Sequence, residues 1–327
     1  MSRMVKIGII GHRNHASKLA SLIEQNPNCE LKVIFHPSKN IEDKRGTNDF
    51  TELYSCDGVI ISSPNNTHFK YLNKLIENFD GYIFCEKPPV TSNQELEKLR
   101  NLSIQNKQRI FFNFNLRFSE LNDSIKQIKN SDDIGKIIYV NIIIAHGLAF
   151  KDKYRNSWRS DSERNMHNIL ETLAIHYIDL LKWNFGEIER YSYFPTLNSK
   201  VGGSYDTSHT SLMFKNGINS SIFTSYSSAL INEMTIVGTN GFCMIRNNTM
   251  KVFSPRDTFD SNGLFMEPPL KFETDYYLNE KFQKSLSNSM DYFLSNIQNN
   301  KKTDTRQYDE SLSTNQLVFE LTGRNYD

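Results

Sequence analysis

Glu86 and Lys87 stand directly behind the apolar run Tyr82-Ile83-Phe84, which reads as a buried strand, and Pro88-Pro89 then bars helix and stiffens the exit. The carboxyl end of such a strand is where open α/β sheets bind ligands. A lysine there can steady a charged oxygen, and the carboxylate beside it can help to place that lysine. A solitary Glu-Lys pair is more often a solvated surface pair, so its meaning rests on its surroundings. The second group lies in Asn168–Leu181, which reads as one amphipathic helix with Thr172, His176 and Asp179 spaced to share a face. A histidine on a mostly apolar helix is ordinarily a hydrogen-bonded core residue. With polar neighbours on its face it is also a candidate for moving a proton.

The elements before Lys87 show what it would act beside. Val5–Ile10 is a β-rich run ending at Gly11, and Ala16–Ile23 has helical spacing of apolar residues. Strand, tight turn and helix in that order can hold a dinucleotide pyrophosphate against the amides of the helix start. Gly11 fills the first glycine position of that turn, Arg13 stands at the second and Ala16 at the third. The Arg13 side chain either narrows the approach to the pyrophosphate or pairs with a phosphate. His12, Asn14 and His15 offer further hydrogen bonds, or simply cap the helix.

Strand Leu31–Phe35 runs into His36-Pro37-Ser38-Lys39 where an acid would hold a ribose 2′-hydroxyl. Donors and positive charge there suit a 2′-phosphate, so the expected cofactor is NADP, with NAD as the alternative, unless this is an ordinary solvated turn. A third strand, Asp57–Ile61, opens into Ser63-Pro64-Asn65-Asn66-Thr67-His68, small and amide side chains suited to a nicotinamide ribose. Helices over about 69–78 and 93–102 and a strand at 109–113 complete the alternation of a parallel, doubly wound sheet.

The chain of 327 residues is long enough for two domains with real cores, and its net charge of +1, with acids and bases mixed, gives no basic stripe for nucleic acid or acidic membrane. Four widely spaced cysteines, Cys29, Cys56, Cys85 and Cys243, lack the spacing of a zinc site or disulfide scaffold and read as reduced cytosolic thiols. A strand pattern close behind Met1 and the lack of a long apolar run lead to the expectation of a cytoplasmic protein.

In this order, the Gly11 turn, Ser63-Pro64-Asn65 with Thr67-His68, Glu86-Lys87-Pro88 and the segment Glu171–Asp179 resemble the Gfo/Idh/MocA family, the glucose-fructose oxidoreductase and inositol dehydrogenase group. The resemblance spans nearly the whole chain and implies a Rossmann-type dinucleotide-binding domain, 1–117, and an α+β domain, 118–327, with an open, mainly antiparallel sheet for substrate and oligomerisation. It implies a hinge at Asn115–Phe118, a cofactor site built from Gly11, Arg13, Ala16, His36, Ser38, Lys39, Ser63, Pro64, Asn65, His68 and Glu86, and a lysine, Lys87, that touches both substrate hydroxyl and nicotinamide ribose. His176 falls at the position of the family's catalytic histidine.

One departure stands out. Family dehydrogenases carry an aspartate one helical turn before the histidine, whereas this chain has Thr172, which brings a hydrogen bond but no charge. Glu171 projects about 100° away on a regular helix and needs a local distortion to stand in for it. Asp179 is then the expected orienter. Arg159, beside Trp158, either holds substrate or packs on the indole.

After Gly186 the pattern is mostly β, with a polar loop at 303–310 before a last helix. The expected activity is hydride transfer between NAD(P) and a secondary alcohol of a sugar or sugar nucleotide, with surface polysaccharide biosynthesis as a setting. His176 takes the proton, Lys87 steadies the oxygen, Arg159, Thr172 and Asp179 line the substrate, and no metal takes part. The alternative is a non-catalytic sugar- or nucleotide-binding sensor or assembly protein on the same fold. The expected partners are a small sugar-like substrate and further copies of this chain meeting through the C-terminal sheet.

Overall fold

The computed structural model describes residues 3–13, 15–38, 41–246, 249–275 and 278–323, and the backbone alone of residues 278–283. The chain divides into two compact units, Met1–Phe118 with Ser285–Asp327, and Ser119–Lys284.

The first unit is built on six parallel strands, β1 (Val5–Ile10), β2 (Cys29–Phe35), β3 (Gly46–Thr47), β4 (Gly58–Ile61), β5 (Tyr82–Glu86) and β6 (Ile110–Asn113), in the order β3-β2-β1-β4-β5-β6. The order reverses between β1 and β4, which puts a crevice at their carboxyl ends. These strands read as unbroken apolar runs because helices cover both faces. On one face, Ala16, Leu19 and Ile23 of helix His15–Glu24 join Leu286, Met290, Phe293 and Leu294 of helix Leu278–Gln298. On the other, helix Thr305–Thr322 sets the Tyr308 ring 5.3 Å from that of Phe112, and its hydroxyl donates to the Leu99 carbonyl.

The expected second domain therefore ends too late, because residues from Ser285 on belong with the first unit. The reason is apolar: Phe293 is fully buried, with ring contacts to Phe84 at 5.4 Å and Phe111 at 6.4 Å. The last helix also starts inside the expected polar loop. The Asp304 carboxylate caps it by accepting the Arg306 amide at 2.9 Å.

The second unit carries eight strands, β7 (Ile137–Ala145), β8 (Ile188–Thr196), β9 (Thr207–Phe214), β10 (Asn219–Ser225), β11 (Ile231–Gly238), β12 (Phe242–Arg246), β13 (Thr249–Phe253) and β14 (Leu270–Asp275). Their order is β14-β13-β12-β11-β7-β10-β9-β8, antiparallel except for the central β7–β10 pair. Ser208, Thr210, Leu212 and Phe214 point one way from β9 and are buried, while their neighbours on the other face are partly exposed. β8 gave no clear signal because it is an edge strand with most residues exposed and Pro195 near its end.

The expected single helix Asn168–Leu181 is interrupted. Leu170–Ala174 takes π form before helix Ile175–Phe185 begins. Burial pushes the Cys56 thiol up to about 11 and the Cys243 thiol to about 12, so both stay protonated and inert. Among the described residues no helix is long and apolar enough to cross a membrane, and no cluster of His, Cys, Asp and Glu is arranged to hold a metal.

Phe293→Ala should cost about 3–5 kcal/mol of stability in urea denaturation followed by circular dichroism, as deletion of a buried aromatic ring does. A cost below about 1 kcal/mol would show that the returning helix does not complete the first core.

Candidate functional site

In the first unit the crevice is formed by backbone geometry. Gly11 follows β1 with φ of 115°, and a Cβ there would lie 2.6 Å from the Ser62 carbonyl oxygen at the end of β4. Only glycine lets these two strand ends approach so closely. Arg13 is exposed, its carbonyl accepts the Ala16 amide at 3.0 Å, and its guanidinium holds no ion pair among the described residues. The turn thus keeps its backbone course with arginine at the second glycine position, and Ala16, 1% exposed, packs the helix start against the sheet.

At the end of β2, the Ser38 amide donates to His36 Nδ1 at 3.2 Å, leaving Nε2–H as the donor of the neutral ring. The His36 ring meets that of His12 edge-on at 4.9 Å, so two imidazoles stand together beyond the ends of β1 and β2. Lys39 lies outside the described residues. In the loop that follows, Asp43 is bound by Arg45 through its amide and guanidinium, which holds its carboxyl well below the usual carboxylate range.

At the end of β4, the Ser63 hydroxyl meets that of Thr67 at 2.7 Å, and Pro64 and Asn65 lead into helix His68–Asn78. His68, expected at the cofactor surface, is instead fully buried. Its Nδ1 lies 2.8 Å from the Pro88 carbonyl and its Nε2 3.0 Å from the Ser63 carbonyl, so it ties the loop after β4 to the turn after β5. Burial lowers its pKa.

Glu86, a residue 7% exposed, closes β5. One oxygen, Oε1, receives His15 Nε2 from the start of the nucleotide helix at 2.8 Å and Asn113 Nδ2 from the adjoining strand β6 at 2.8 Å. Burial alone would raise this carboxyl, but the nearby His15, its hydrogen bond and that of Asn113 bring it below its ordinary value. Lys87, partly exposed, follows at once and leads into a cis bond to Pro88. Asn113 was the anchor the sequence did not reveal, although a terminal asparagine on the apolar run Ile110-Phe111-Phe112 was its signal.

In the second unit, the Arg159 guanidinium lies 4.9 Å from the centre of the Trp158 ring. Its charge also bears on Tyr154 and Tyr226. Burial raises both phenols, Tyr154 to about 12, and Arg159 opposes that rise. The Thr172 hydroxyl donates to the Asn168 carbonyl at 2.5 Å and lies 2.8 Å from the Tyr226 hydroxyl, whose ring stacks on His146 at 4.9 Å. His176 is 9% exposed and Asp179 is 1% exposed, both on helix Ile175–Phe185. The sequence did not point to Tyr154 or Tyr226, because each reaches the cluster from an element far from Thr172 in the chain, a short helix at Asp152–Arg155 and the end of β10. A recess of about 470 Å³ lies elsewhere, on the sheet between Tyr139, Tyr191, His209 and Leu212.

The first unit is thus a dinucleotide-binding fold with a basic residue at a ligand-binding strand end, and the second a sheet carrying a polar, aromatic cluster with a histidine. Residues 5–114 match the oxidoreductase family with an NAD-binding Rossmann fold, and residues 123–243 match the GFO/IDH/MocA C-terminal domain. The chain belongs to the Gfo/Idh/MocA family of oxidoreductases.

It is 24% identical to glucose-6-phosphate 3-dehydrogenase of Bacillus subtilis over 191 residues, 56% of this chain and 54% of that enzyme, so the match spans about half of that relative's length. Over 302 residues, 90% of this chain and 88% of the other, it is 24% identical to Oxidoreductase P35 of Formosa agariphila. Inositol 2-dehydrogenase of Salmonella typhimurium is 25% identical over 227 residues, 66% of this chain and 64% of that one. Among solved structures, an Agrobacterium radiobacter oxidoreductase in complex with NAD+, L-tartaric acid and magnesium shares the fold with a TM-score of 0.77 at 16% identity, covering 99% of this chain and 97% of the other. The myo-inositol dehydrogenase of Corynebacterium glutamicum does so with a TM-score of 0.75 at 17% identity, covering 98% and 96%.

His15→Ala removes one of two donors from a buried carboxylate whose partner imidazole is itself half-exposed, so the expected cost at neutral pH is about 1 kcal/mol. Because the Glu86 pKa is depressed in the folded state, its contribution is present above the ordinary carboxylate pKa and is lost as pH falls through the folded value. Urea denaturation of the variant and the parent should therefore converge in acid, and an equal gap at every pH would contradict the assignment.

Proposed function

We propose that the protein transfers hydride between NADP and a secondary alcohol of a sugar or sugar nucleotide, of the kind handled in surface polysaccharide biosynthesis. The observation that carries this reading is the Glu86 clamp: His15 from the nucleotide turn and Asn113 from the next strand fix the carboxylate immediately before Lys87. That clamp ties the residue offered to substrate to the same element that receives the pyrophosphate.

The crevice fits a dinucleotide at the Gly11–Ser62 approach and the amides opening helix His15–Glu24. The choice of NADP over NAD is supported by the donors His36 and Ser38 at the end of β2, with Asp43 already taken up by Arg45. Bound there, the cofactor would supply a hydride acceptor or donor. The chain's residues do the rest. Lys87 stabilises the substrate oxygen, and His176 accepts the hydroxyl proton on oxidation and returns it on reduction. Arg159, Thr172 and Asp179 orient substrate and histidine.

The names of the relatives suggest where to begin with substrates, inositol and glucose 6-phosphate. The open face of the second sheet, where Phe194 is exposed and stacks on His209, suits contact between two copies of this chain.

Calorimetric titration should give at least about tenfold tighter binding of NADPH than of NADH, the margin expected of one charge-assisted pair. A preference for NADH would remove the NADP assignment. Binding of neither would remove hydride transfer itself. With a substrate in hand, Lys87→Ala should lower kcat about 10²–10⁴-fold while cofactor affinity stays within about threefold, and full turnover in that variant would take Lys87 out of the scheme.

A further inference from the structure

The stretch that follows β7 carries four cations in nine residues, Lys151, Lys153, Arg155 and Arg159. Among the described residues none of the four holds an ion pair, whereas Arg164 just beyond them pairs with Asp161. The acid inside the stretch, Asp152, is exposed and pairs with none of them. The Arg159 guanidinium uses none of its N–H donors within the described chain, and the Trp158 ring steadies it without consuming one.

This stretch is held in place. The Ser160 hydroxyl donates to the Arg155 carbonyl at 3.0 Å, the Arg159 amide to the Ser157 hydroxyl at 3.2 Å, and the Gly203 amide to the Ser160 carbonyl at 2.8 Å. Tyr154, 1% exposed, anchors it to Tyr226, with the ring centres 6.0 Å apart. Two of the cations act on the groups so gathered. Burial lowers the His146 pKa and the Lys153 charge lowers it further, while burial raises the Tyr154 and Tyr226 phenols and Arg159 opposes that rise. All three charge effects have the sign of a positive potential.

Hydrogen bonding points the same way. The Tyr154 hydroxyl and the Asn168 side-chain nitrogen Nδ2 are buried near each other, yet neither makes a hydrogen bond of good geometry. Buried donors ordinarily have acceptors. Asp206, the acid whose charge reaches Tyr154, is already taken up by the amides of Asn198 and Ser199 and the Thr207 hydroxyl. The cluster is short of acceptors and of negative charge at once.

We propose that the second unit binds a sugar bearing an anionic substituent, a phosphate, diphosphate or carboxylate, which the Arg159 guanidinium holds beside Trp158 and the Tyr154–Tyr226 cluster. A guanidinium gives such a group two parallel charge-assisted hydrogen bonds, so Arg159 selects anionic sugars over neutral ones. That this ligand is the substrate rests on the proposed hydride transfer, whereas the anion site concerns the second unit alone.

The chain has two tryptophans, so in the full protein labelled with nitrogen-15 the Trp158 indole signal is assigned by its loss in Trp158→Phe. Glucose 6-phosphate, UDP-glucose and glucuronate are titrated against glucose, without dinucleotide and at constant ionic strength. At least one of the three anionic sugars should move the Trp158 signal at a concentration at least about tenfold below glucose, the margin of one charge-assisted pair. Arg159→Gln should abolish that margin. The tightest of the three names the substituent. No movement by any of them, an equal response to glucose, or a margin that survives Arg159→Gln overturns the proposal.

Should Arg159→Gln fail to fold, the unaltered protein decides. The margin must shrink as sodium chloride rises from about 0.05 to about 0.5 M, and a margin indifferent to salt overturns the pairing. NADPH and NADH titrations of the same samples separate the two claims: failure of the parent protein to bind either removes hydride transfer, while the Trp158 signal still decides the anion site.

Discussion

A carboxylate taken out of water must find donors or give up its charge, and in the first unit that demand falls on Glu86. It is met from two directions, by His15 from the helix behind the nucleotide turn and by Asn113 from the neighbouring strand. The arrangement requires β1, β5 and β6 to end at one level, which the parallel register of the sheet provides. The glycine at position 11, the ring of His68 set between the Pro88 and Ser63 carbonyls and the turn at Pro88 lie at the same level, at the ends of β1, β4 and β5.

This constraint also explains why Arg13 is tolerated in a turn that ordinarily calls for glycine. The approach that cannot be relaxed is that of Gly11 to the Ser62 carbonyl, and Arg13 lies beyond it with its side chain exposed.

Much of this was legible in the residues alone. The alternation of apolar runs and helical spacing gives the parallel sheet, because fully buried strands such as β4 and β5 leave no other reading. Glu86, Lys87 and His176 were visible through their placement at a strand end and on a polar helix face. The π-turn was not, because nothing in Leu170–Ala174 departs from ordinary helical composition and its cause lies in backbone hydrogen bonding. Asn113 and Tyr226 were hidden for another reason: each acts through a neighbour distant in the chain, and spacing rules report only neighbours near in sequence. The edge strand β8 was missed because an exposed strand has no covered face to impose alternation.

The returning helix has a bearing on how the protein comes into being. Phe293 packs against Phe84 and Phe111, so a nascent chain emerging amino end first presents the six-strand sheet with one apolar flank open until the stretch carrying Phe293 has been made. Domains ordinarily fold in order of synthesis, and here the earlier one waits for the later. The second unit, continuous from Ser119 to Lys284, has no such delay.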